Sequence, residues 1–205
     1  PLNQDCWLGD DGLPVTDLTR KGFGVTLTSI GYRVAVIEFV EALNDQGIVA
    51  VPDLHWSSPD GILSDGLRVM ADNRSDDFWT SVAASFKTHP SVMFDLFNEP
   101  HSRWSDAGGR WAFQLSWECW KSGGCQGPVE NDKTPLPTSA GSTFTTMGMK
   151  ELVAAVRVTG AKQPIILGGR DYVIPEDILH HIEDVCAHRI ITRAALGEGD
   201  GEASG

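Results

Sequence analysis

Apolar residues recur along this chain in two alternating rhythms. Val36, Phe39, Val40 and Leu43 return at helical spacing and predict a helix over Tyr32 to Gln46, with Gly47 as its C-terminal cap. Ile48 to Leu54, IVAVPDL, reads as a buried strand running into His55 and Trp56. Pro52 makes that strand irregular, because proline has no N–H for the ladder. Asp76 predicts the N-cap of a second helix through Phe86, with Phe78, Trp79, Val82 and Phe86 on its inner face. The run VMFDLF from Val92 is a second buried strand, and Pro100 stops it. A third helix is predicted over Thr146 to Val158, facing inward through Met149, Leu152, Val153 and Val156 and ending at Gly160. Gln163 to Gly169, QPIILGG, is a third buried strand, and Pro1 to Gly9 reads as the tail of another. Between these lie a Gly- and Thr-rich loop after Gly9, a loop over Ser57 to Arg74, and a long insertion over Ser102 to Ser142.

Strand and helix therefore alternate, which implies a parallel sheet with helical crossovers. A (β/α) barrel and a doubly wound sheet both fit. No GxGxxG or Walker glycine loop follows any strand, so a nucleotide-binding sheet loses its main support. Polar residues stand instead at three successive strand ends: Asn3 with Asp5, His55 with Trp56, and Asn98 with Glu99. A rim of this kind is where a barrel assembles its active site. Glu99 lies where the strand hands over to the loop, flanked by Phe97 and Pro100, and is a candidate catalytic carboxylate with Asn98 as a hydrogen-bonding neighbour.

Composition narrows the partners. The chain has 205 residues and a formal net charge of −12, which repels phosphate and argues against nucleic acid or an anionic membrane as partner. No apolar run approaches the length of a membrane span. The chain opens at Pro1 without a Met and is expected to be a fragment, and a monomer. Seven tryptophans are a high count; they fill a core or stack on sugar rings. Cys119 and Cys125 bracket a Gly-containing turn, CWKSGGC, and are expected to form a disulfide, which points to an oxidising, extracellular compartment. No Cys/His set has zinc spacing, and no metal or cofactor is expected.

The segment VMFDLFNEPH resembles the signature of glycoside hydrolase family 5, the cellulase family, in which Asn-Glu-Pro closes the fourth barrel strand. PLNQDCWLG, AVPDLHW, WECWKSGGC and QPIILGGRDY are similar, in the same order, to the second strand, the third strand, the fourth-helix region and the fifth strand of a secreted microbial branch. The resemblance implies a partial (β/α)8 TIM barrel, about strands 2 to 5, over residues 1–172. It implies cleavage of internal β-1,4 linkages with retention, in a cellulose-type glucan first and mannan next. Glu99 would be the acid/base, a carboxyl that protonates the glycosidic oxygen. Asn98 would hold the sugar hydroxyl beside the reacting carbon. His55, by itself as readily a core residue as a site residue, would line the same subsite. Trp7, Trp56 and Asn3 would contribute to the cleft wall.

Retention needs a second carboxylate roughly 5 Å from the first. In the family it closes the seventh strand, and the resemblance ends at Tyr172. An arginine that the family places before the segment at Pro1 is also absent. Residues 173–205 resemble nothing in the family; they suggest a short helix over Glu176 to Val185 and a polar Gly/Glu/Ser end. Glu198 in ALGEGD could stand in for the nucleophile or be a solvated tail residue. The chain is thus expected to lack an evident nucleophile. The competing reading is an inactive remnant or a non-catalytic carbohydrate-binding protein; a dehydrogenase or phosphotransferase suffers from the missing glycine loops.

Overall fold

The computed structural model describes residues 1–9, 29–57, 67–105, 109–129, 143–172 and 190–192. Five short strands run parallel. β1 (Leu2–Asn3) pairs with β2 (Leu54–Trp56), and isolated parallel bridges, Ala50 to Val92 and Asp53 to Asp95, join that edge to β3 (Phe94–Asp95). β8 (Ile165–Leu167) pairs with β3, and β9 (Ile190–Thr192) pairs with β8. The order across the sheet is therefore the order along the chain. No closed sheet forms among the described residues.

The helices sit between these strands. α1 (Gln4–Leu8) follows β1 directly, α2 (Ser29–Asp45) precedes β2, α3 (Ser75–Phe86) precedes β3, and α5 (Met149–Val158) precedes β8. α3 packs on α5, and the Trp79 indole reaches from α3 to donate to the Leu96 carbonyl beyond β3 at 2.9 Å. Gln163 ties the loop before β8 to the end of α3, its amide donating to the carbonyls of Phe86 and His89. Phe78, Trp79, Val82, Phe86, Met149, Leu152 and Val156 are fully buried, as the helical spacing of both segments predicts.

Three elements depart from the sequence expectation. The predicted strand over Ile48 to Leu54 is regular only from Leu54, and Ile48, Val49 and Val51 are exposed. Pro52 explains the break: its carbonyl accepts from Asp95 N–H, but it has no N–H to return. α3 begins at Ser75, with Arg74 as its N-cap residue and Asp76 inside the first turn. No side chain caps α3; Asp72, ahead of the helix, instead fixes the approach turn, accepting from Arg74 N–H at 2.9 Å and held in turn by Gln4. Phe39, assigned to the inner face of α2, is 65% exposed. It lies on the lip of an apolar groove of about 530 Å³ between α2 and the strand ends at Leu2 and Val51.

The long insertion is not structureless. It holds an antiparallel hairpin of β4 (Arg103–Ser105) and β5 (Arg110–Phe113), the short helix α4 (Trp117–Ser122), and β6 (Gln126–Pro128), which pairs antiparallel with β7 (Thr143–Thr145) just past the insertion's predicted end. The expected disulfide is present: Cys119 and Cys125 are bonded, with Cα atoms 5.8 Å apart. Gly123 allows that tight return, with φ at 67° and no room for a Cβ against the backbone of Gly148. The predicted helix over Glu176 to Val185 and Glu198 lie outside the described residues. β9, in the segment expected to lie outside the family resemblance, supplies the outermost parallel strand among the described residues.

Candidate active site

The chain segment Asn98 to His101 is held on three sides. Asn98 N–H donates to the Leu54 carbonyl at 2.9 Å, which sets the end of β3 against the end of β2. His101 N–H donates to the Val69 carbonyl at 3.0 Å, and Asp171 N–H donates to the Pro100 carbonyl at 2.8 Å, which ties the turn to the segment after β8. Gly168 lies so close beneath the turn that a Cβ there would meet the Phe97 carbonyl oxygen at 3.1 Å and Pro100 at 3.2 Å. Trp120 adds a brace, its indole donating to the Gly168 carbonyl at 2.8 Å.

Within this clamp Glu99 adopts φ of 52°, the left-handed region. A residue before proline ordinarily prefers extended backbone, and a non-glycine residue in the left-handed region costs on the order of 1–3 kcal/mol. The cost is met by the surrounding bonds: His101 Nδ1 lies 2.9 Å from the Glu99 carbonyl. That carbonyl can only accept, so Nδ1 carries the proton. The Glu99 carboxylate makes no hydrogen bond or ion pair with any described residue, and the same holds for the Asn98 amide. A strained glutamate with an unengaged carboxylate at the carboxyl end of a parallel strand is arranged for something other than packing.

His55 leaves β2 beside this turn. Its Nδ1 lies 2.7 Å from the Asp53 carboxylate, which can only accept, so Nδ1 carries a proton and the ring is held in orientation. Asp53 and His55 are two residues apart on an extended segment and so share a face. That alternation was the sequence signal for Asp53, a residue the motif reading passed over. Trp56 is half-buried and meets the His55 ring edge-to-face at 4.8 Å. Asp171 was also passed over; its carboxylate accepts from Ser102 N–H and from Arg170, and Arg170 lies over the Trp117 ring at 5.0 Å.

Two expected cleft residues belong elsewhere. Trp7 is completely buried, its indole donating to Ser81 Oγ at 3.0 Å and its ring packed against Tyr32, Phe78 and Phe86. It fills the core between α1 and α3 and presents no face to a ligand, which corrects the expectation that it lines the cleft. Asn3 is buried and caps α1, its Oδ1 accepting from Cys6 N–H at 3.0 Å. Its short side chain is spent on the helix start, so a substrate contact is not what this geometry provides. Among the described residues no group of three or more His, Cys, Asp or Glu is placed to hold a metal ion.

Comparison with known proteins gives this rim a family. The profile of the cellulases, glycosyl hydrolase family 5, matches residues 26–178 and so spans β2, β3, β8 and the candidate site. A second profile, the AAA lid domain, matches residues 166–204. No curated protein matches the chain. Among solved structures, Cel5A (EG2) from Hypocrea jecorina (Trichoderma reesei) is similar with a TM-score of 0.48 and 18% identity, over 83% of this chain. The chain spans 44% of the length of that protein. With three quarters of its residues inside the family profile, the chain belongs to glycosyl hydrolase family 5, the cellulases.

Proposed function

We propose that this chain carries the acid/base half of a retaining endo-β-1,4-glycanase site, built on consecutive strands of a partial (β/α)8 barrel over residues 1–172. The observation that carries the proposal is Glu99, strained at the carboxyl end of β3 with its carboxylate unengaged, inside a match to the cellulase family. A glycosidic oxygen leaves only when it is protonated as the bond breaks. Glu99 supplies that proton and then, as carboxylate, removes one from the attacking water. Asn98 beside it holds the hydroxyl next to the reacting carbon, and His55, oriented by Asp53, hydrogen-bonds a second hydroxyl through Nε2. Trp56 offers a partly exposed ring at the same rim. The substrate is a neutral β-1,4-linked polysaccharide, cellulose-type glucan before mannan. The protein acts outside the cell, as the Cys119–Cys125 disulfide suggests.

The second carboxylate of a retaining pair stands roughly 5 Å from the first. In this proposal residues 1–172 do not provide it, and the chain alone binds substrate without completing turnover. Reducing-end release from carboxymethyl cellulose and from mannan tests this, with Glu99→Gln as the paired variant. The expected result is no release above background from either the chain or the variant. Release abolished by Glu99→Gln would keep the role of Glu99 and overturn the missing nucleophile. Release insensitive to the substitution would overturn the role itself.

A further inference from the structure

Two of the seven tryptophans are treated differently from the rest. Trp7, Trp79 and Trp120 are fully buried, and Trp56 and Trp117 are half-buried. Trp104 and Trp111 remain 47% and 49% exposed, directly opposite one another across the β4–β5 hairpin. Their rings meet edge-to-face with centroids 5.2 Å apart. Each indole thus fixes the other, and a broad apolar surface faces solvent on a two-stranded ribbon. A core requires neither ring to stay half in water, and large exposed aromatics on an ordered element mark binding surfaces.

The hairpin is rooted in the candidate site. Ser102, just before β4, receives Leu115 N–H on its hydroxyl at 2.9 Å and gives its own N–H to the Asp171 carboxylate. Phe113 and Leu115, at the far end of β5, are buried. Trp104 is five residues beyond Glu99, so their Cα atoms are at most about 18 Å apart even along a fully extended chain. An oligosaccharide seated at Glu99 can therefore reach the pair.

We infer that Trp104 and Trp111 form an aromatic platform that holds a neutral, unbranched β-1,4-linked hexose chain as it leaves the Glu99 site. The inference rests on the polysaccharide reading of that site and adds the place where its length is read. An equatorially linked pyranose presents an apolar C–H face to a flat ring, and rigid indoles lose little conformational entropy on binding. Because stacking on these rings lies away from the reacting bond, it favours long chains over short ones and does not contribute to bond cleavage.

The test measures binding of the chain to insoluble cellulose, and to soluble cellohexaose against cellobiose. Trp104→Ala/Trp111→Ala is expected to weaken cellohexaose and cellulose binding by about tenfold or more, as for loss of desolvated aromatic anchors, and cellobiose binding much less. Trp104→Tyr/Trp111→Tyr retains most of the affinity and guards against a merely unfolded hairpin. Equal binding by the wild-type chain and the alanine variant overturns the platform, as does no binding of cellohexaose by the wild-type chain. Loss of a chain dimer in sedimentation, with sugar binding unchanged, overturns it in favour of a second copy as occupant. The two readings fail separately. Without the platform, cellobiose-based reagents still modify Glu99 while the tryptophans leave glucan binding unchanged; without the hydrolytic site, the tryptophans govern binding while Glu99 stays unmodified.

Discussion

Asn98 donates its backbone N–H to the carbonyl of Leu54, the residue before His55, at 2.9 Å. The bond sets two strand ends side by side, so that the Asn-Glu-Pro turn and the Asp53–His55 pair rise from adjacent positions on one rim. Neither strand is long; the rim is held beyond the strands by hydrogen bonds with Val69 and Asp171 and by the close packing of Gly168.

The strain at Glu99 gives a first prediction. Replacing it with glycine removes the left-handed penalty and the carboxylate together. Glu99→Gly is expected to be more stable than Glu99→Ala by about 1 kcal/mol, since only the alanine keeps a Cβ in that region. Paired denaturant titrations measure the difference; a less stable glycine variant would count against a strained turn.

The two placements of tryptophan predict opposite outcomes. Trp7→Ala opens a cavity in a buried cluster and is expected to cost about 3–5 kcal/mol of stability. Trp56→Ala removes a half-buried ring at the rim and should cost under about 1.5 kcal/mol, while weakening oligosaccharide binding. Urea unfolding with cellohexaose titration separates the two effects.

The thiols sort in the same way. Burial, with Asp5 nearby, pushes the Cys6 thiol up to about 11, so at pH 8 it is protonated and shielded. Iodoacetamide should leave Cys6 unmodified in the folded chain and modify it in urea. Cys119 and Cys125 should appear as one linked peptide without reductant, and reduction should cost about 2 kcal/mol for so short a loop. Peptide mass spectrometry with and without reductant reads all three.

Asp72 makes stability depend on pH. Burial raises its carboxyl above the ordinary range, against the opposing hydrogen bonds from Gln4 and Arg74. A raised folded-state pKa means the native state holds the proton more tightly than the unfolded one. The associated stability is complete below the unfolded value of about 4 and is lost as pH rises through the folded value. Asp72→Asn should therefore gain stability relative to wild type as pH rises from 4 to 7. Melting curves across that range would contradict the placement if the gap stayed constant.

Much of this arrangement was legible in the sequence, for physical reasons that differ by element. The inner faces of α3 and α5 follow from helical spacing, and the Asn-Glu-Pro break announces a strand end because proline ends a ladder. The cysteine spacing foretold the closed loop at α4. What spacing does not encode is which side of an element finds a partner. Phe39 shares the helical phase of Val40 but ends on the lip of a groove. Trp7 stands near a strand end in the sequence, yet α1 turns its ring into the core. Asp76 reads as a cap in the sequence but falls inside the first turn of α3, because the chain enters the helix one residue earlier, at Ser75. The Trp104–Trp111 pairing was invisible because it depends on a hairpin register inside an apparently irregular insertion.

The role of Glu99 is tested most directly by an epoxyalkyl β-cellobioside, which needs no nucleophile elsewhere in the chain. The sugar seats the reagent at the rim, and the Glu99 carboxylate attacks the epoxide carbon, opening the ring to an ester and an alcohol once water returns a proton. Peptide mass spectrometry is expected to find one ester, on Glu99, suppressed by excess cellohexaose and absent from Glu99→Gln. Esters scattered over other carboxylates, or on none, with no protection by cellohexaose, would contradict the assignment of Glu99 as the catalytic carboxylate.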